Sequence, residues 1–193
     1  MNAPIARDDD GLSLIELIFY VVILGLITTG IAVVFFNMWR AQASVSDQTD
    51  ATERGQLVAT QIEKAMRNAV AFEVTDASST PGLSTGPVLL VATGLTGQNA
   101  CMAFNFSAGQ AQVIQTSGSS IAASSWSTWQ TGIVSAGGAP YFKKTANSSA
   151  SIDYSFAATS KNGPTVQFGG TAYMRTTSGR LPGGGTQTCF AAP

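Results

Sequence analysis

Glu16 is the one charge in an apolar stretch that runs from Leu12 to Phe36. An acidic side chain at the centre of a membrane helix costs about 2.5–3.5 kcal/mol on the insertion scale, so it calls for a partner. Gly11 stands directly before the stretch, behind Arg7 and Asp8-Asp9-Asp10. A cut between Gly11 and Leu12 frees an α-ammonium on Leu12, about one helical turn from Glu16. The small residue at position 11 suits such a cut, because it lets a peptidase approach the backbone. The chemistry on offer is proteolytic processing, followed by a charge pair at the edge of an apolar segment.

Other chemistries are poorly supplied. The chain has no histidine, which removes the commonest general base and the commonest nitrogen ligand of metals. Gly82-Leu83-Ser84-Thr85-Gly86 matches the G-x-S-x-G pattern of a serine nucleophile, but it lacks a histidine to take the proton and sits in loop-like sequence. No catalytic residue, metal site or cofactor is expected. Cys101 and Cys189 are the only cysteines. If the helix exports them, their even count favours a disulfide tying the C-terminal tail to the rest, worth roughly 4–5 kcal/mol in the chain-entropy picture. Two thiols without an imidazole make a poor zinc site. Trp126 and Trp129 read as anchors at a sheet edge, or else as a stacking surface. Lys143-Lys144 reads as a solvated hairpin end, since no wider basic stripe accompanies it, and nucleic-acid binding is expected to be weak or absent.

The elements that must carry these residues divide at the prolines. None occurs between Pro4 and Pro81, and six lie from Pro81 to Pro193. The gap is what a long helix requires. Residues 12–36 are long enough to cross a hydrocarbon core of about 30 Å. From residue 37 to 70 the chain turns polar but keeps a helical rhythm, with Ala51, Gly55, Val58, Ile62, Ala65, Met66 and Ala69 on one stripe. Glu63 and Arg67 are spaced as an i,i+4 ion pair. One helix is therefore expected from about Leu12 to about Val70. Residues 71–193 read as β-rich. Strands are expected at Phe72–Asp76, Pro87–Thr93, Ala100–Phe106, Ala111–Thr116, Ile152–Ala157 and Thr165–Met174, with a turn marked by Asn105, Ser107 and Gly109. Trp126 to Val134 reads either way. Loops fall at Ser78–Gly86, Ala136–Pro140 and Arg180–Gly185. The expected class is α+β: a long N-terminal helix, membrane-spanning then amphipathic, packed on a C-terminal, mostly antiparallel β-sheet.

The run Gly11-Leu12-Ser13-Leu14-Ile15-Glu16-Leu17-Ile18 resembles the class III signal of type IV prepilins and pseudopilins, in a chain of 193 residues with only 11% charged residues. The stretch Thr60-Gln61-Ile62-Glu63-Lys64-Ala65-Met66-Arg67-Asn68-Ala69 resembles the end of the first helix in PilW- or PulJ-like minor subunits. Val33 stands where many major pilins carry a helix-bending proline. The resemblance implies that residues 1–11 are a leader removed by a prepilin peptidase and that Leu12 is then N-methylated. It also implies that Glu16 guides assembly with other pilin or pseudopilin subunits on an inner-membrane platform. Such a subunit resides in the cytoplasmic membrane before assembly, and in a periplasmic or cell-surface filament afterwards. Two alternatives stay open: a major pilin or adhesin with a binding surface, and an extracytoplasmic domain on a plain signal-anchor.

Overall fold

The computed structural model describes residues 13–76, 86–94, 101–116 and 126–175. A single long helix, α1 (Leu14–Arg67), is followed by nine strands, β1 (Ala69–Asp76), β2 (Pro87–Thr93), β3 (Cys101–Ser107), β4 (Gln110–Thr116), β5 (Ser127–Thr131), β6 (Ile133–Val134), β7 (Phe142–Lys144), β8 (Ser151–Ala158) and β9 (Val166–Tyr173). The Ser13 carbonyl opens the helix by accepting the N–H groups of Glu16 (3.0 Å) and Leu17 (3.2 Å). At the other end Asn68 donates its backbone N–H to the Lys64 and Ala65 carbonyls, and its side-chain amide to Lys64 O (3.0 Å). This cap stops the helix three residues before the expected Val70. Ala69 and Val70 join β1, where the β-branched and aromatic residues Val70, Phe72 and Val74 prefer the extended chain.

The strands form two antiparallel sheets. The first is a meander in the order β1-β2-β3-β4-β5. In the second, β8 is central, β6 and β7 pair successive parts of one side of it, and β9 pairs its other side along all eight residues. The β3–β4 hairpin turns at Ala108 and Gly109, both at positive φ (49° and 75°), so the expected turn falls at its Gly109 end, beyond Ser107. Asn105 is not part of that turn: it lies inside β3 and is fully buried. The ambiguous stretch from Trp126 to Val134 resolves into β5 and β6, parted by Gly132 at φ 73°. The chain changes sheets at that glycine. Lys143 and Lys144, expected at a hairpin end, lie within the short strand β7 opposite Asp153 and Ile152.

The chain divides into two compact units, Met1–Ala43 and Ser44–Pro193. In the second, Ala51, Gly55, Val58, Ile62, Ala65 and Met66 form the buried stripe of α1. It packs on Leu89, Val91, Phe104 and Phe106 of the first sheet and on Ile152, Tyr154 and Phe156 of the second. Phe106 meets Tyr141, Phe142 and Phe156 with ring centroids 4.9–5.6 Å apart. Phe156 and Phe168 stack at 5.3 Å, and the Phe168 ring fills the space where a side chain on Gly55 would stand. The opposite face of the first sheet is buried too, through Val88, Leu90, Ala103 and Ile114 with Trp126 packed against them.

Long-range polar contacts fasten α1 to the sheets, among them a hydrogen bond from the Asn162 amide to Asp47. Arg54 donates from Nη1 to Thr131 O (2.9 Å) and from Nη2 to Thr159 O (2.8 Å), so one guanidinium holds the end of β5 and the end of β8 together. Tyr154 donates its hydroxyl to Glu63 Oε1 at 2.6 Å. Glu63 thus serves the sheet rather than the expected pair with Arg67.

Candidate functional site: the apolar half of the first helix

Between Leu14 and Trp39 every large apolar side chain is exposed, from 51% at Ile23 to 77% at Leu14. Soluble monomers rarely leave so large a continuous apolar surface uncovered. From Leu17 to Phe36 the helix carries no charged side chain and is about 30 Å long at 1.5 Å per residue. It is a candidate membrane span by length and composition.

Thr28, Thr29 and Glu16 find partners along the helix itself. Thr28 donates to Leu24 O (2.8 Å) and Thr29 to Gly25 O (2.7 Å), so both hydroxyls have acceptors within the helix. Glu16 accepts a hydrogen bond from the Tyr20 hydroxyl one turn on, at 3.2 Å. Tyr20 is a partner the sequence reading missed, although its i,i+4 spacing was available. A second missed signal is Ser13-Leu14-Ile15-Glu16, which has the S-x-x-E form of a capping box. Ser13 takes the N-cap place and Glu16 the third helical position, where a carboxylate also suits the positive end of the helix dipole. Gly25 and Gly30 have nothing within 4 Å of where a side chain would stand. Gly30 lies in a shallow apolar hollow among Leu26, Ile27, Ile31, Val34, Phe35 and Met38.

The remaining expected positions are dispersed. Gly11, Leu12, Cys189 and all but the last residue of Gly82–Gly86 lie outside the described residues. Cys101 is the first residue of β3, is 5% exposed and is disulfide-bonded. Trp126 and Trp129 serve opposite faces of the first sheet, Trp126 with the Val88–Ile114 cluster and Trp129 on the side that α1 covers. They do not form one stacking surface. No group of three histidine, cysteine or carboxylate ligands occurs among the described residues. Tyr141 holds its proton more tightly than a free phenol because it is buried, partly offset by a backbone hydrogen bond from Ser135. Tyr154 is shifted the same way, first by burial, then by its hydrogen bond to Glu63 and by the negative charge of that carboxylate. Both are packing groups of the sheets. Comparison of the chain with protein-family models, with curated proteins and with solved structures finds no match.

Proposed function

We propose that the chain is a pilin-like structural subunit, a minor pilin or pseudopilin, held in a membrane and then packed into a filament through the apolar half of α1. It is not an enzyme in this reading. The observation that carries it is the exposed apolar half of α1 with Glu16 in its first turn, preceded in sequence by Gly11-Leu12. Cleavage after Gly11 gives Leu12 an amine that a methyltransferase can modify and that Glu16 can meet. On a neighbouring subunit the same pair favours one axial register, because others leave charge unpaired in an apolar surround. Glu16 exchanges the Tyr20 hydroxyl for that stronger partner. A Cys101–Cys189 disulfide belongs to the same extracytoplasmic reading.

The experiment is co-expression with a prepilin peptidase and mass spectrometry of the amino terminus. A mature chain beginning at N-methylated Leu12 is expected, with Gly11→Val left uncut. Glu16→Val should be cut and inserted normally yet be absent from sheared filaments. Intact Met1 in assembled material, or wild-type incorporation of Glu16→Val, contradicts the proposal.

A further inference from the structure

Beside the closed interface between α1 and the first sheet lies a polar cleft that the subunit role does not use. It consists of two adjoining hollows of about 210 Å³ and 170 Å³, with Gln61 and Gln115 lining both. Lys64, Asn68 and Thr93 continue the first, and Trp129 closes the second. Elsewhere this interface is filled by aliphatic and aromatic side chains. Among the described residues, the side chains of Gln61, Lys64 and Gln115 make no hydrogen bond or ion pair. The Asn68 amide spends one donor on Lys64 O and keeps its carbonyl oxygen.

Trp129 is set on this cleft by an irregularity of the sheet. Ala111 pairs with Gln130 and Gln112 with Thr128, so Trp129 is the extra residue of a β-bulge. Bulges recur where a strand must re-aim a side chain. Trp129 is half-buried against the core, which fixes the ring while part of it stays accessible.

We infer that this cleft binds a short glycan. Carboxamides both donate and accept hydrogen bonds, as sugar hydroxyls do, and three of them converge here. The electron-rich face of an indole suits the C–H groups on the apolar side of a pyranose ring. Each hollow is the size of one sugar ring, well below the roughly 300–1,000 Å³ of pockets for drug-sized ligands. Among the described residues no carboxylate lines the cleft, and Lys64 is its only cation. The ligand is therefore neutral or carries a single acid group, and a polyphosphate backbone is poorly matched. A peptide would need deep apolar anchor pockets, which the cleft lacks. This inference stands independently of the subunit reading.

The test uses the full chain in a zwitterionic detergent that contains no sugar, with saturation-transfer NMR against two sets of disaccharides. One set comes from cell-wall glycan (the N-acetylglucosamine–N-acetylmuramic acid unit) and the other from surface or plant polymers (cellobiose, chitobiose, maltose). At least one set should bind below about 1 mM, and which set does so identifies the source. Gln61→Ala and Gln115→Ala should each weaken binding by about five- to tenfold, the range expected for one lost hydrogen bond. Lys64→Ala should weaken only the acid-bearing disaccharide. Trp129→Ala should abolish binding, and Trp129→Tyr, which keeps an aromatic face, should restore part of it. Gln115 and Lys64 are exposed, so their variants remain informative even if Trp129→Ala folds poorly. Absence of binding by either set up to ~10 mM, or binding unchanged in the Gln61→Ala/Gln115→Ala double variant, overturns the inference. So does displacement of the sugar only by a peptide.

Discussion

Gly55 has no turn to make; it is a glycine because of what lies against it. A Cβ built there would fall 2.0–2.5 Å from the edge of the Phe168 ring, and that ring is already stacked on Phe156. Helix propensity alone favours alanine at this position by about 1 kcal/mol. Overpacking a filled core costs about 1–3 kcal/mol, and here the ring has a neighbour behind it. Gly55→Ala is therefore expected to lower stability by about 1–2 kcal/mol in denaturant titration. Adding Phe168→Leu should recover part of the loss. Tyr154 supplies a pH signature at the same scale. Its folded state holds the proton beyond the ordinary phenol value of about 10, so its stabilisation is complete below that pH. As pH rises further the unfolded chain ionises first, and stability falls. Unfolding followed from pH 7 to 11 should show this decline in the wild type and a smaller one in Tyr154→Phe. An unchanged alkaline profile in Tyr154→Phe would mean that neither burial nor the Glu63 contact holds the proton.

Among the elements, the least conspicuous link is the single residue Gly132 between β5 and β6. Its N–H donates to Gly109 O at 2.7 Å, and its carbonyl accepts from Thr159 N at 2.7 Å. A side chain there would meet Thr159 Oγ1 and Arg54 Nη1 at 2.6–2.7 Å. Arg54 closes the same junction from the helix side, with two hydrogen bonds to carbonyls from a charged donor. Arg54→Ala should cost about 1–3 kcal/mol and Arg54→Lys a similar amount, because lysine lacks the planar fork that reaches both strands. If Arg54→Lys matches the wild type, the fork geometry is not what joins the sheets. This junction was not legible in the sequence. The stripe Ala51, Gly55, Val58, Ile62, Ala65, Met66 could be read directly, as could the proline-free gap, because both rest on local periodicity. The positions of most strands were legible too, from β-branched content and bounding turns. What escaped was the change of sheet at Gly132, the short strand β7 and the cap at Asn68. The first two depend on one backbone angle or on pairing between distant residues, whereas the cap is a local bond to Lys64 that Asn68 could equally have left unmade by continuing the helix. Glu16 is conspicuous in the sequence as a charge among apolar residues, while its Tyr20 partner is marked only by an i,i+4 spacing shared with many other pairs along the helix. Gln61 and Gln115, which meet in the cleft, are 54 positions apart and unremarkable singly.

At the scale of the whole molecule, surfaces of different character lie on two units. The Met1–Ala43 unit presents apolar side chains around the helix, and the Ser44–Pro193 unit buries its apolar stripe under two sheets. Among the described residues the second sheet ends with β9, a strand of Val, Gln, Phe, Gly, Gly, Thr, Ala and Tyr, without proline or charge. Met174 donates its N–H to Ala150 O, which fixes the alternation of the ladder. Gln167, Gly169, Thr171 and Tyr173 must then turn their backbone N–H and C=O groups away from β8. The other sheet's margins are guarded: β1 carries the exposed Glu73, and β5 is bulged at Trp129. An unguarded margin is a nucleus for clumping when many copies are concentrated together. In manufacture of the protein, detergent alone should not keep stored samples monodisperse, since detergent shields greasy surface and leaves peptide groups free. Gln167→Lys, at an exposed position, should extend shelf life in light-scattering assays without altering the melting temperature by more than a degree or two.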